Sequence, residues 1–295
     1  MKRIAVIGAG IAGMSAAHLL SRKHEVHLFE KRKRLGGHTN TVTVDSPAGK
    51  LPVDTGFIVH NDRTYPNFVR LLNELGVDTQ PSDMSFAVTS QPDGYEYSSL
   101  GLSGFFAQRS NLLRSTQYRL LAEIIRFNRE AVGLISSPVA SRMTLGQMLD
   151  RGSFSEEFRA RYLYPMASAV WSTSFEEITE FPASTLIRFF DNHGMLGINT
   201  HPQWKVIKGG SNRYVAPLVA PFEDRITTAA NIKGVRRDET GVEIRFTDRP
   251  SRRFDEVVFA CHGDQVLPLL ESATDDEIEV FSSFRTSRND TVLHT

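Results

Sequence analysis

A chain of 295 residues is long for one hydrophobic core and short for three, so two intertwined domains are expected. Lys plus Arg and Asp plus Glu number 34 each, giving a formal net charge of +0, which excludes a global field toward nucleic acid or membrane and leaves only local basic surface. The single cysteine, Cys261, excludes an intrachain disulfide and a multi-cysteine metal site, and it accords with a reducing, cytoplasmic setting.

Ile4-Ala5-Val6-Ile7 is a continuous apolar run of strand length, the pattern of a strand covered on both faces of a parallel sheet. Gly8 ends it far short of a signal-peptide core, so no cleaved leader is expected. No apolar run approaches the roughly 20 residues of a membrane span. After the Gly8-Ala9-Gly10 turn, residues 11–22 read as a helix, and 24–29 as a second strand with Val26 and Leu28 alternating, stopping at Glu30. Residues 41–45 and 51–53 flank Ser46-Pro47-Ala48-Gly49, which predicts a hairpin with Asp54-Thr55-Gly56 at its end. Phe68, Val69, Leu71, Leu72 and Leu75 predict a helix over 65–75, with Gly76 as its C-cap.

The pattern then changes. Residues 101–135 carry apolar side chains at helical spacing, with Arg109, Arg114, Arg119, Arg126 and Arg129 against only Glu123 and Glu130. Further helices are predicted over 144–150, 156–171 and 182–191, so 100–200 reads as a mainly helical insertion. Strand character returns at 204–207. Lys208-Gly209-Gly210 reads as a turn, 212–218 as a short helix, and 232–235, 242–246 and 256–260 as strands rejoining the first sheet. Residues 291–295 read as the middle of a strand, so the chain is expected to be a truncated form. The expected fold class is therefore α/β. A Rossmann-type FAD/NAD(P)-binding domain spans 1–80 and 205–265, and a mainly helical substrate or cap domain, incomplete at its C-terminus, spans 81–204 and 266–295.

The chemistry begins with Gly8-x-Gly10-x-x-Gly13, which follows a buried strand and opens a helix. Gly8 permits the tight turn, Gly10 lets backbone approach a pyrophosphate, and Gly13 allows close helix-sheet packing, while the helix N-terminus offers free N–H groups and partial positive charge. Glu30, ending the next strand, can accept hydrogen bonds from a ribose diol and would repel a 2′-phosphate, which disfavours NADP. Glu30 opens a second motif, Glu30-x-x-x-Arg34-x-Gly36-Gly37, for which a NAD enzyme has no need.

At these residues the sequence resembles the flavoprotein group that includes flavin-containing amine oxidases, protoporphyrinogen oxidase and phytoene desaturase-like enzymes. The resemblance implies FAD. It places Gly8, Gly10 and Gly13 at the pyrophosphate and Glu30 at the adenosine ribose, with Arg34, Gly36 and Gly37 extending the cradle. The flanking Ile11, Ala12, Lys31 and Thr39 are counted with the same cofactor site, as is His38, which stands where amine oxidases commonly have Arg. Asp54-Thr55-Gly56-Phe57 matches the family's Asp-x-Gly segment beside the flavin ring. Lys208-Gly209-Gly210 resembles the Gly-Gly that re-enters the FAD domain, and Ile232 falls where an apolar residue's backbone meets the adenine. Asp54 also fits a turn cap, and Gly209-Gly210 a plain turn. The family's last, C-terminal FAD motif has no counterpart in these residues.

The resemblance implies an FAD-dependent oxidoreductase of the amine-oxidase-like group that takes a hydride from a substrate C–N or C–C bond onto flavin N5. The alternatives are a lipid or isoprenoid desaturase or isomerase, and a non-catalytic FAD-fold scaffold; the substrate is a small molecule or a lipid. No catalytic residue is assigned. His294 lies near the position of a lysine that holds water at N5, or is an ordinary strand histidine. Trp171 lines a substrate cavity or belongs to the core, and Cys261 reads as a small buried hydrophobe rather than a covalent flavin link. The histidines form no metal set, and neither charge nor motif points to nucleic acid. Segment 105–130, with Phe105, Phe106, Leu112, Leu113, Leu120, Leu121, Ile124 and Ile125 beside its arginines, reads either as a solvated domain helix or as a peripheral contact with anionic lipid on the inner membrane face.

Overall fold

The computed structural model describes every residue except 48, 136, 138–139, 198–201, 287–291 and 294–295. The chain divides into two compact units, the first made of Met1–His60, Asn67–Gln80 and Lys205–Thr295, the second of Asn61–Pro66 and Pro81–Trp204. No helix among the described residues is long and apolar enough to cross a membrane.

At the centre of the first unit lie four parallel strands in the order Ile226–Thr227, Glu25–Phe29, Arg3–Ile7, Glu256–Phe259. Successive side chains of a strand point to opposite faces, and here both faces are covered. Val6, Val26 and Leu28 pack with Met14 and Ala17 of the helix Ile11–Ser21 and with Leu218 and Phe222. Ala5, Ile7 and Phe29 pack instead with Val235, Ile244, Phe246 and Phe254. Double coverage explains why Ile4 to Ile7 is apolar without alternation.

The strands at Ile232–Asp238, Gly241–Phe246 and Arg252–Phe254 form a separate antiparallel sheet, which corrects the expectation that 232–246 rejoin the first sheet. Burial alternates along Gly241–Phe246, the signature of a sheet with one covered face, whereas the two central parallel strands are buried without a break from Ile4 to Ile7 and from Val26 to Phe29. Only Glu256–Phe259 returns to the parallel sheet, joined by the two-residue strand Ile226–Thr227, too short to leave a periodic trace. Residues after 265 group with this first unit, not with the cap. The Glu271 N–H donates to the Val235 carbonyl at 3.1 Å, and Arg245 and Arg237 reach Glu271 and Glu277 at 2.8 and 2.6 Å.

The second unit packs the helices Ser115–Leu134, Leu145–Arg151 and Ala183–Asn192 around a core that includes Leu120, Phe127, Leu149, Phe158, Leu186 and Phe190. Within residues 156–171, the turn Arg159–Leu163 is a π-helix just ahead of Pro165. Proline has no N–H for the carbonyl four residues earlier. That carbonyl, on Arg161, instead accepts the Tyr97 hydroxyl at 2.8 Å. Tyr97 belongs to the hairpin Ala87–Ser90 and Tyr95–Ser98, which the sequence reading passed over although Pro92-Asp93-Gly94 marks its turn.

Candidate cofactor-binding site

The glycines of the first loop differ in what surrounds them. Gly8 leaves its strand at φ +106°, and a Cβ there would lie 2.6 Å from the Ala260 carbonyl oxygen. A Cβ on Gly13 would come within 1.8 Å of the Gly8 oxygen, so that glycine seats the helix on the strand. Around a Cβ on Gly10 there is nothing within 4 Å. Gly10 is also the N-cap of the helix Ile11–Ser21 and supplies no side-chain cap. The first-turn N–H groups of Ile11, Ala12 and Gly13 therefore have no partner in their own helix, and Ile11 and Ala12 are exposed.

Glu30 is 9% exposed. Its carboxylate accepts the Ala9 N–H and the Arg32 N–H, both at 2.8 Å, one on each oxygen. Each oxygen has a second lone pair, so acceptor capacity remains. The Glu30 carbonyl takes the Ala230 N–H at 2.8 Å, and the Arg32 carbonyl takes the Ala229 N–H at 2.9 Å, which brings the chain ahead of Ile232 against this loop. Ile232 itself donates its N–H to the Ala230 carbonyl at 2.8 Å. Lys31 is exposed.

The glycine doublet lies on the first loop. Gly36 donates to the Ala9 carbonyl at 2.8 Å, and a Cβ on Gly37 would stand 2.9 Å from the Gly10 Cα. The Arg34 guanidinium donates to the carbonyls of Gly37 at 2.9 Å, Thr39 at 3.3 Å and Leu35 at 3.4 Å, so its donors fasten the doublet's own backbone. Thr39 is buried, with its hydroxyl on the Tyr214 hydroxyl. His38 is exposed and stacks on His262, ring centroids 5.5 Å apart.

The next two motifs meet one another. Phe57 donates to the His38 carbonyl at 2.9 Å, and a Cβ on Gly56 would fall 2.1 Å from that oxygen. Thr55 donates its N–H to the Asn40 carbonyl at 2.9 Å. Asp54 accepts the Ser211 N–H at 2.9 Å, the Ser211 hydroxyl at 2.8 Å and the Thr41 hydroxyl at 2.6 Å. Gly210, at φ +101°, packs on Thr41, whose Cγ2 would lie 2.4 Å from its Cβ. Asp54 thus ties the end of its hairpin to the Gly209-Gly210 turn, and in these contacts it acts as a turn cap.

A family model described as flavin containing amine oxidoreductase matches residues 11–284. The chain belongs to that family. The putative flavin-containing monoamine oxidase AofH of Mycobacterium tuberculosis is 27% identical over 254 residues, 82% of this chain and 53% of that protein. Among solved structures, a putrescine oxidase bound to putrescine superimposes with a TM-score of 0.73 at 17% identity, covering 95% of this chain and 63% of that one. A CLA-producing fatty acid isomerase from P. acnes reaches 0.62, also at 17% identity and with 95% and 63% covered. The chain thus spans about half the length of AofH and under two thirds of these solved structures.

Seen as a member of this family, the chain adds a feature that sequence reasoning missed. The last parallel strand ends against Gly8, so Cys261 and His262 flank the loop, where open α/β sheets bind ligands at the carboxyl ends of their strands. The available signal was the strand read at 256–260. Burial pushes the Cys261 thiol above its usual range, which suits a packed side chain rather than a thiolate. Trp171 is half-buried in the second unit between Phe181 and Phe189, at 4.8 and 4.9 Å, and packs on its core. His294 lies outside the described residues. Among the described residues no group of three metal-ligating side chains occurs.

Proposed function

We propose that the chain is an FAD-dependent oxidoreductase of the amine-oxidase-like group, and the observation that carries this is the open face at Gly10. Of the three glycines, the two that face protein are closed against backbone, while the third faces free space beside an uncapped helix N-terminus and a buried carboxylate. The N–H groups of Ile11, Ala12 and Gly13 would hold an anionic pyrophosphate. Glu30, with acceptor capacity left on its carboxylate, would accept the ribose hydroxyls and oppose any 2′-phosphate. Gly36 and Gly37 let a second turn close on the first, and Arg34 keeps that turn's carbonyls facing inward. When bound, the flavin would supply the two-electron acceptor for a hydride leaving the carbon of a C–N or C–C bond, while the adjacent atom loses a proton and the bond becomes double. An amine substrate is the first choice, in keeping with the relative described as a monoamine oxidase. A lipid chain is the second, favoured by exposed leucines on the second unit.

The visible absorption spectrum of the purified chain, recorded before and after adding FAD and then anaerobically with a panel of amines, tests both parts. Bound flavin that bleaches with one amine class is the expected result. A chain that takes up no flavin from excess FAD would overturn the cofactor assignment; a chain that binds flavin and bleaches with no amine would shift the substrate reading to lipid.

A further inference from the structure

We propose that residues 100–134 of the second unit form a docking face for a bilayer surface carrying anionic headgroups, a reading that stands apart from the cofactor site. The helix Ser115–Leu134 buries Leu120, Phe127 and Ala131 in the core. Tyr118, Ala122, Ile125, Arg129 and Val132 recur at three- and four-residue steps, a single stripe on the opposite side, and all are exposed. Tyr118, Ile125 and Val132 are 50%, 49% and 51% exposed. A helix with one apolar side already in the core gains nothing from a second unless something covers it.

The turn ahead of the helix extends this surface. Leu113 is 92% exposed, its neighbour Leu112 is exposed as well, and so are Leu100 and Leu102 earlier in the same segment. The turn is held firmly. The Tyr118 hydroxyl donates to the Leu112 carbonyl at 3.0 Å, Tyr118 packs on Phe106 at 5.4 Å, and the neighbouring Asn111 is fully buried.

Charge decides the occupant. Glu123 and Glu130, the acids of 101–135, are both engaged by Arg126 at 3.4 and 3.6 Å, and Glu123 also takes Ser155. Arg109, Arg114, Arg119 and Arg129 are exposed and form no ion pair with a carboxylate among the described residues. An apolar stripe interrupted and flanked by unpaired arginines matches a lipid interface, where leucines enter the acyl boundary and guanidinium groups meet phosphates. A second copy of the same face would set arginine against arginine. A nucleic acid would leave Leu113 and Ile125 without a role.

The test is co-sedimentation of the full chain with vesicles of phosphatidylcholine alone and of phosphatidylcholine with phosphatidylglycerol, at low and high salt. Binding should require phosphatidylglycerol and weaken with salt. Each arginine neutralised in R114Q and R129Q should lower the partition about fivefold. L112S/L113S should weaken binding while keeping its salt dependence, and the melting temperature should stay near that of the parent, because these side chains are exposed. Equal binding to both vesicle types, or indifference to these changes, would overturn the proposal. So would self-association by light scattering that L113S abolishes, since that would assign the face to a second copy.

Discussion

Glu30 and Asp54 are both acids at the ends of strands, and their surroundings give them different work. Asp54 is engaged by groups of its own fold, Ser211 and Thr41, whereas Glu30 takes two backbone N–H groups, one on each oxygen, and keeps acceptor capacity. In Glu30→Gln one oxygen becomes an NH2 facing an N–H, leaving a buried donor unmatched. A loss of about 1–3 kcal/mol in stability is expected by urea unfolding. Flavin affinity, read by fluorescence titration, should fall at least about tenfold, the equivalent of about 1.4 kcal/mol. Unchanged affinity would remove Glu30 from the cofactor site. The residue types were legible from the motif; Arg34's contacts were not, because nothing in a linear sequence says whether a guanidinium points at a ligand or at the carbonyls of its own turn.

At the scale of elements, the first strand, loop and helix make one device whose two inner glycines respond oppositely. Gly13→Ala places a methyl 1.8 Å from a backbone oxygen, so the helix cannot seat. A loss above about 4 kcal/mol, or no soluble protein, is expected. Gly10→Ala meets no protein atom and should change stability by only about 0.5–1 kcal/mol, while flavin binding drops sharply. Thermal melts and flavin titration of the two variants separate folding from binding. This device was readable because a strand buried on both faces is apolar without a break and ends in glycines, of which Gly8 and Gly13 are required by packing against backbone. The antiparallel sheet of Ile232–Asp238 and Gly241–Phe246 was readable as strands but not as a separate sheet, since period-two alternation marks a covered face and not the element that covers it. The four-residue strands of the Ala87–Ser90 hairpin are too short for periodicity, and only their turn residues signalled them.

Across the whole molecule, the exposed ion pair of Arg237 with Glu277 fastens the helix Asp275–Ser282 to the rest of the first unit. The Arg237 guanidinium beside Glu277 holds that carboxyl down to about 2, below its ordinary 4.5, and Arg253 depresses Asp238 in the same way. Because the folded value is the lower one, the contribution is complete above 4.5 and fades as pH falls toward 2. Amide exchange in this helix should accelerate over that range and with added salt, and Arg237→Gln should weaken the pH effect, leaving the part that the Thr274 N–H on Glu277 supplies. Exchange that ignores acid would mean that packing alone holds the helix. One further consequence concerns synthesis. Arg3 donates to Asp255 at 2.6 Å across 252 residues of sequence, beside the pairing of the first strand with the last parallel one. During synthesis, that apolar strand keeps one edge open until residue 259 has been made, while the stretch Pro81–Trp204 holds its own core and can close earlier. An unpaired apolar strand edge invites wrong pairing, so the stretch Arg3–Ile7 is exposed to aggregation until Glu256–Phe259 is there to cover it.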